Sequence, residues 1–207
     1  MTFDSAPAIA ALVLAAGLSS RMGRAKMILP WGDTTVIGQV VQILWAGGVQ
    51  QVVVVTGASH QPVETALASL PASAGQQVQC VFNPDYANGE MLVSVQAGLR
   101  ALLDTHCAAF LLALGDQPQI QVGTVRAVIA AYCAAHAALV VPSYELRRGH
   151  PWLVDRRLWA GLAEQNLPFT LRDFLQQHRD SIHYVNVNTS TILADLDTPE
   201  DYERQAP

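Results

Sequence analysis

The sequence predicts a three-layer α/β/α sandwich, in which helices cover both faces of a mostly parallel sheet. Short, uninterrupted apolar runs alternate along the chain with longer segments of helical period. Apolar runs without polar alternation are typical of strands covered on both faces, and their alternation with helices is the α/β pattern. Of the 207 residues, 51% are hydrophobic and 14% are charged, which favours a folded core over intrinsic disorder.

Six apolar runs are the predicted strands, and five amphipathic segments are the predicted helices. The strands are expected at residues 9–14, 52–55, 78–82, 108–114, 139–141 and 183–187. The helices are expected at residues 35–45, 91–103, 124–135, 156–163 and 170–177. Beyond residue 143 the alternation loosens into a polar loop at 147–151 and a helical pair broken by Pro168. This part fits either a substrate-facing insertion or an ordinary pair of edge helices.

Composition restricts the kinds of partner that the chain can bind and indicates the cellular compartment. The formal net charge of −5 is spread along the chain without a block of like charges, which argues against a nucleic-acid partner. Three separated cysteines predict thiols in a reducing compartment rather than a zinc site or a disulfide scaffold. No apolar run approaches the ~20 residues of a membrane span, and residues 1–8 make a poor secretory signal. We therefore expect one soluble, cytoplasmic domain over residues 1–207, with a flexible N-terminus at 1–8.

The turn that follows the first strand has the composition of a phosphate site. Its small residues let an anion approach the backbone N–H groups, and three cations follow within six positions. The small residues are Ala15, Ala16 and Gly17, and the cations are Arg21, Arg24 and Lys26. The alternative is a glycine-containing turn with solvated basic side chains. The segment matches neither GxGxxG nor GxxxxGK[ST], which excludes the dinucleotide fingerprint and the P-loop motif.

Aspartates follow the fourth predicted strand and occur again near the end of the chain. Asp116 comes just after the apolar run, at the sheet edge where open α/β sheets bind ligands. Asp195 and Asp197 are two positions apart and share a face if the chain is extended there. Mg²⁺ is usually held by one or two carboxylates together with substrate phosphates, so Asp116 and one of this pair are candidate ligands. The alternatives are an Asx turn at Asp116 that caps the helix near residue 122, and a simple helix start with Thr198 as N-cap.

The turn and the aspartates together resemble a known family. The segment 14–26 resembles the LAAGxSxRMGxxK signature of the MobA-like NTP transferase domains, which have the nucleotide-diphosphosugar-transferase (Rossmann-like) fold. The motifs GDQP at 115–118, GHP at 149–151 and DLDTPED at 195–201 continue the resemblance, which covers residues 9–202. The resemblance implies a nucleotidyltransferase that binds an NTP with Mg²⁺, or Mn²⁺ as the alternative ion. The implied metal ligands are Asp116 and Asp197, with Asp195 in reserve.

The resemblance also implies which residues contact the nucleotide. The catalytic residues would be Arg21, Lys26 and Asp116, with the two cations on the phosphates. The other contacts from the turn would be Leu14, Ala15, Ala16, Gly17 and Ser19. The base and ribose pocket would use Asn83, Gly89 and Ser94. The alternative for this last segment is an ordinary helix start capped by Asn88. Many relatives have Gly-Met-x-x-Ser here, whereas this chain inserts Glu90.

The GHP motif resembles a motif that lies near the second substrate in relatives, and the resemblance implies the same place here. His150 and Arg148 would bind a phosphorylated pterin, and residues 143–180 would form the acceptor-facing region. Otherwise His150 is a structural hydrogen-bonding residue and Arg148 is solvated. The chain resembles the cytidylyl more than the guanylyl subgroup, which implies transfer of CMP from CTP to the phosphate of molybdopterin, with GTP as the alternative donor.

Two other functions stay open on the sequence. The chain could be a transferase of the same fold with another phosphorylated acceptor. It could also be a non-catalytic accessory protein that binds a cofactor for a molybdoenzyme, which would make the molybdoenzyme or its chaperone a protein partner.

Overall fold

The computed structural model describes residues 7–87 and 90–207. Most of the predicted flexible N-terminus, the Asn88 cap and Gly89 therefore lie outside the described residues. The strands are β1 (Ile9–Ala15), β2 (Pro30–Trp31), β3 (Thr34–Thr35), β4 (Gln51–Thr56), β5 (Gln77–Phe82), β6 (Ala109–Leu114), β7 (Leu139–Tyr144), β8 (Arg147–Arg148), β9 (Trp152–Asp155) and β10 (Ile182–Asn186). The α-helices are α1 (Val36–Ala46), α2 (His60–Ala68), α3 (Met91–Leu102), α4 (Val122–Ala135), α5 (Trp159–Ala163), α6 (Leu171–Gln177) and α7 (Pro199–Gln205). None of these helices is long and apolar enough to cross a membrane.

Eight of the strands form one mixed, mostly parallel sheet. The order is β10-β7-β9-β6-β1-β4-β5, with β8 paired to β7, while β2 and β3 form a separate ribbon. β1 runs parallel to both β4 and β6, whereas β9 runs antiparallel to β6 and β7. The carboxyl ends of β1, β4 and β6 therefore meet at one edge of the sheet.

Helices cover both faces of the sheet, as the sequence predicts. α1, α2 and α4 pack on one face, together with Ala11 and Val13 of β1. α3, α5 and α6 pack on the other face, together with Leu12 and Leu14. Consecutive residues of β1 point into two different apolar cores, which explains the uninterrupted apolar run. α3 lies so close to the sheet that a Cβ at Gly98 would overlap Leu12.

Several parts of the fold differ from the prediction, and the β2–β3 ribbon is one that was not expected. α2 was not expected, because only Val63 and Leu67 of this helix are buried and its apolar period is weak. A polar loop is expected at 147–151 and no strand before the helix at 156, but β8 and β9 form in this part of the chain. β9 is a short strand of four buried residues, too short to show a period, and it is inserted between β6 and β7. The helix expected at 156–163 starts as a 3₁₀ turn at Arg156–Leu158 and becomes α-helical only in α5.

A third, smaller apolar cluster joins the cationic turn to the end of the chain. Met22, Leu29 and Trp31 pack with the fully buried Leu196 and with Tyr202 of α7. The hydroxyl of Tyr202 also donates to the carbonyl of Pro30, at 2.6 Å. These contacts hold the aspartates around residue 196 beside the turn that follows β1.

Candidate functional site

A cavity of about 340 Å³ lies at the carboxyl edge of the sheet, between the ends of β1 and β6. Gly17 follows β1, Asp116 follows β6, and Lys26 begins the 3₁₀ turn Lys26–Ile28. The cavity is lined by Leu14, Ala16, Gly17, Arg21, Lys26, Met27, Tyr86, Met91, Ser94, Leu114, Asp116, Asp195 and Asp197. The three predicted catalytic residues and both predicted metal ligands thus share one cavity.

Lys26 is the buried cation of this cavity, with 8% of its surface exposed. Its Nζ lies 2.5 Å from Asp116 Oδ2 and 3.7 Å from Asp197 Oδ1. It also donates to the carbonyl of Leu196 at 3.0 Å. One ammonium therefore joins two aspartates that are far apart in the sequence. The Asx-turn alternative for Asp116 is wrong, because the N-cap of α4 is Gln121, which makes no side-chain cap.

Asp197 is held from both sides. Arg21 Nη1 lies 3.0 Å from its Oδ2. The next residue, Thr198, is the N-cap of α7, and it forms a capping box with Asp201. The Asp201 carboxylate accepts from the backbone N–H of Thr198 at 3.0 Å and from that of Asp197 at 3.3 Å. The predicted helix start is confirmed, and it fixes the backbone from which the Asp197 side chain extends.

Asp195 lies at the border between this cavity and a neighbouring one. Burial raises the pKa of its carboxyl, the negative charges of Asp116 and Asp197 act in the same direction, and a hydrogen bond from Gln117 opposes them. That hydrogen bond joins Gln117 Nε2 to Asp195 Oδ1 at 2.7 Å. Asp197, unlike Asp195, shares the Lys26 ammonium with Asp116, which makes Asp197 the better candidate for a second metal ligand.

The predicted nucleotide-binding residues divide into those that line the cavity and those that do not. Among the uncharged ones, Leu14, Ala16, Gly17 and Ser94 line it. Ala15 does not line the cavity, because it points into the core formed with α1, α2 and α4. Ser19 is not part of the lining either. Asn83 is buried behind Ser94 and donates from Nδ2 to the Ser94 Oγ at 3.0 Å, so it positions the serine. Gly89 lies outside the described residues.

Sequence reasoning missed an apolar wall of the cavity, formed by Met27, Tyr86, Met91 and Leu114. Tyr86 packs against Gly57, where a Cβ would collide with Tyr86 and with the carbonyl of Ala16. The only signal for Tyr86 and Met91 was their place within the segment 83–94. Residues of this kind give a flat heterocycle a surface to pack on.

A second cavity of about 270 Å³ adjoins the first and shares Leu114 and Asp195 with it. It is lined further by Gln117, Arg147, Arg148, Gly149, His150, Ile192 and Leu193. Of the region predicted to face the acceptor, residues 147–150 contribute to this lining, whereas α5 and α6 pack against the sheet. Arg148 is exposed, and its guanidinium lies over the ring of Tyr184.

His150 has an environment that favours a neutral ring. Burial lowers the pKa of His150 to about 4. The ring stacks on Trp152, with centroids 4.6 Å apart and planes 14° apart. Its Nε2 is buried, and no group of the described residues lies within hydrogen-bond distance of it. Buried polar atoms usually have a hydrogen-bond partner, so this nitrogen is an exception within a residue that lines the second cavity.

The carboxylates of the first cavity suit a hard cation that is also bound by phosphate. Within the described ranges, no three His, Cys, Asp or Glu side chains cluster as a metal site made of protein alone. Mg²⁺ takes oxygen ligands, keeps several waters and is usually bound by one or two carboxylates together with substrate phosphates. Asp116 and Asp197 therefore fit such an ion when a phosphate ligand completes the site.

This combination of fold and site defines an α/β enzyme that acts on a polyphosphate nucleotide. Cations and a glycine-containing turn face two carboxylates at the carboxyl edge of a parallel sheet, where such folds bind nucleotides. The chain belongs to the MobA-like NTP transferase family, whose pattern matches residues 11–182, and it is a nucleotidyltransferase.

Two curated relatives are similar over nearly the whole chain. The molybdenum cofactor cytidylyltransferase of Escherichia coli (strain K12) is 29% identical over an alignment of 199 residues, and the match covers 94% of each chain. The nicotine blue oxidoreductase of Paenarthrobacter nicotinovorans is 30% identical over an alignment of 206 residues, and the match covers 96% of each chain. Similarity in this family thus extends to proteins with different named activities.

Solved structures confirm the fold. The crystal structure of Rv0371c from Mycobacterium tuberculosis H37Rv has a TM-score of 0.76 and 28% identity, and the match covers 97% of each chain. The structure of Rv0371c in complex with manganese has a TM-score of 0.73 at the same identity, and the match covers 97% of this chain and 98% of the other. A protein of this fold has therefore been crystallised in complex with manganese.

Proposed function

We propose that this chain transfers the nucleoside monophosphate of an NTP, with CTP as the favoured donor, to the phosphate of molybdopterin or its molybdenum-loaded form. The observation that supports this most is the convergence of Lys26 and Arg21 with Asp116 and Asp197 in one cavity. Similarity to a molybdenum cofactor cytidylyltransferase over 94% of the chain supports the acceptor and the choice of CTP over GTP. We further propose that residues 1–207 act as one cytoplasmic domain, which fits three free cysteines.

The first cavity offers groups that would suit the triphosphate and the base of a nucleotide. Its triphosphate would lie against the backbone of the turn that ends β1, with Arg21 and Lys26 on the phosphate oxygens. Its base would pack on the wall that includes Tyr86 and Met91, with Ser94 as a hydrogen-bonding group. Asn83 acts behind the serine, as a positioning residue.

Asp116 and Asp197 would hold Mg²⁺, with Mn²⁺ as the alternative ion. The bound ion would supply charge neutralisation on the triphosphate. The manganese complex of Rv0371c supports a divalent metal in this fold.

The second cavity would receive the acceptor. It shares Leu114 and Asp195 with the nucleotide cavity, so an acceptor bound there lies next to the nucleotide. The neutral ring of His150 would form part of the wall against a polar heterocycle, and Arg148 would offer a cation to an anionic group. A molybdoenzyme or its chaperone would take the product from this side.

The reaction needs positioned charge rather than a covalent nucleophile. An oxygen of the acceptor phosphate forms a bond to the α-phosphorus, and the bond from that phosphorus to the oxygen leading to the β-phosphorus breaks. Pyrophosphate leaves with the bonding electrons. Because a phosphate acceptor is already ionised near neutral pH, no general base is required, and cations and carboxylates suffice.

Incubation of the full chain with molybdopterin, Mg²⁺ and each labelled NTP tests the proposal. We expect pyrophosphate and a pterin dinucleotide to appear together, fastest with CTP. Faster turnover with GTP than with CTP would mean that the chain is a guanylyltransferase. Turnover only with another phosphorylated acceptor would contradict the assignment of a pterin acceptor. Nucleotide binding without pyrophosphate release for any acceptor would favour the accessory-protein function. Oxidation or reduction of a substrate without pyrophosphate release would favour an activity like that of the nicotine blue oxidoreductase.

A further inference from the structure

The side chain that is expected to bind phosphate occupies the space between the two candidate metal ligands. Lys26 Nζ is 2.5 Å from Asp116 Oδ2 and 3.7 Å from Asp197 Oδ1. A divalent ion bound to the same Asp116 oxygen at about 2.1 Å would lie within about 5 Å of the ammonium. Two cations this close repel each other, and water screens the repulsion only in part, because the side chains of Lys26 and Asp116 are just 10% and 20% exposed.

The ammonium is also firmly held in this position. Its donors go to Asp116 Oδ2 and to the Leu196 carbonyl, and Asp197 lies on a third side. Only 8% of Lys26 is exposed, so water replaces these contacts poorly. Triphosphate oxygens, by contrast, would enter the same cavity and offer the ammonium new charged partners.

We propose that Lys26 keeps a divalent cation off Asp116 and Asp197 until a nucleotide triphosphate draws its ammonium away, so that metal and nucleotide bind in a coupled manner. This inference rests on the proposed nucleotide site. By linkage, the factor by which the nucleotide raises metal affinity equals the factor by which the metal raises nucleotide affinity.

Arg21 hinders metal binding to the aspartates less than Lys26 does. Its side chain is 69% exposed, and its ion pair with Asp197 faces solvent at 3.0 Å. Exposed pairs of this kind contribute little, because water screens them. Arg24 lies two positions before Lys26, is exposed, and has its guanidinium over the ring of Tyr202, 5.4 Å from the centroid. It is therefore a matched cation that does not touch the carboxylates.

Mn²⁺ titration of the nucleotide-free full chain, followed by electron paramagnetic resonance, tests the inference. A neighbouring cation changes the affinity of a carboxylate for a proton by about tenfold or more, and we expect at least that effect on Mn²⁺. Lys26→Met should therefore bind Mn²⁺ at least about tenfold more tightly than the wild type. Arg24→Gln should match the wild type, and Arg21→Gln should gain less than Lys26→Met. Adding Asp116→Asn to Lys26→Met should abolish the gain, which ties the ion to this site.

A second titration measures the coupling. The affinity of the wild type for CTP should rise when Mn²⁺ is added. This rise should be smaller in Lys26→Met than in Arg24→Gln. Free CTP chelates Mn²⁺ equally in the two titrations, so chelation does not account for the difference between the variants. If Lys26→Met does not fold by circular dichroism, Lys26→Gln removes the charge and retains a donor for the Leu196 carbonyl. The inference is overturned if the folded lysine variant and the wild type bind Mn²⁺ with equal affinity. It is also overturned if neither of them binds Mn²⁺. The pyrophosphate assay would still decide the proposed function by itself, since it scores turnover rather than metal affinity.

Discussion

Asp116 has a separate contact for its side chain and for its backbone. The carboxylate pairs with Lys26, and the backbone carbonyl accepts from the N–H of Leu196 at 3.0 Å. The backbone contact remains when the side chain is shortened, so the turn after β6 can keep its shape. The role of the carboxylate can therefore be tested apart from the role of the backbone.

Asp116→Ala should lower the rate of pyrophosphate release by about 10²-fold or more, since loss of one charge-stabilising group typically costs this much. The measurement is the NTP assay with Mg²⁺, and circular dichroism checks that the variant is folded. Asp104→Ala removes an exposed carboxylate and should leave the rate unchanged. Normal turnover of Asp116→Ala would remove Asp116 from the catalytic residues.

Lys26→Ala should weaken NTP binding by about 10- to 100-fold, the range expected for one charged hydrogen bond. Calorimetric titration of CTP without metal measures the effect directly. Arg24→Gln is the control, because it removes a cation from the same turn without changing the cavity lining. Equal affinities of the two variants would show that Lys26 does not bind phosphate.

The sequence predicted the charged residues of the site better than its apolar ones. Arg21, Lys26, Asp116 and Asp197 stand in polar motifs at the ends of apolar runs, where a functional residue differs visibly from its surroundings. Tyr86 and Met91 resemble ordinary core residues, and only the folded chain shows that they face a cavity. The direct pairing of cations with aspartates was not predicted either, because it depends on contacts between distant parts of the chain.

At the scale of elements, the start of α7 matters most for the site, because its capping box immediately follows Asp197. α6 begins with the same arrangement, in which Thr170 and Asp173 form a capping box, but its buried residues pack in the core on one face of the sheet. The two helix starts have the same capping box, but the start of α7 lies beside the site and the start of α6 lies outside its lining. The start of α6 is therefore a control for the start of α7.

Thr198→Ala should destabilise the protein by about 1 kcal/mol and weaken nucleotide and metal binding, since the loss of an N-cap loosens the backbone at Asp197. Thr170→Ala should cost a similar amount of stability and leave binding unchanged. Denaturant unfolding and CTP titration measure the two effects. Equal loss of CTP affinity in both variants would mean that the capping box of α7 has no specific role at the site.

The elements that the sequence predicted have a clear apolar pattern, and those it missed do not. β1, β4 and β6 are buried on both faces, so their apolar runs are long enough to recognise. α2 contributes two buried residues, and β9 has only four residues, which it inserts by antiparallel pairing that no local pattern encodes. The location of such elements is decided by tertiary packing.

At the scale of the whole molecule, stability should depend on pH through His150. Burial lowers its pKa to about 4 in the folded state, whereas an unfolded histidine titrates near its ordinary value of 6.5. Below pH 6.5 the unfolded chain therefore binds a proton that the folded chain does not bind, which favours unfolding. The free energy of unfolding should fall between about pH 6.5 and about pH 4, by up to about 1.4 kcal/mol per pH unit.

The fall with pH should be smaller in His150→Gln, which keeps a polar side chain and removes the titration. Urea unfolding at several pH values measures the difference between the two proteins. Asp155 contributes at lower pH, because its hydrogen bonds with Arg157 and Tyr132 lower its carboxyl pKa against the effect of burial. Its stabilisation is present above the ordinary pKa and is lost as the pH falls through the lowered value. Parallel curves for wild type and His150→Gln above pH 4 would contradict the buried, neutral state of His150.

Crystals of the full chain grown with CTP and Mn²⁺, with data collected at the manganese absorption edge, test the central claim most directly. The account predicts one anomalous peak bonded to Asp116, Asp197 and a phosphate oxygen, with Lys26 and Arg21 turned from the aspartates onto the triphosphate. A nucleotide bound elsewhere, or a manganese ion that touches neither aspartate, would contradict it.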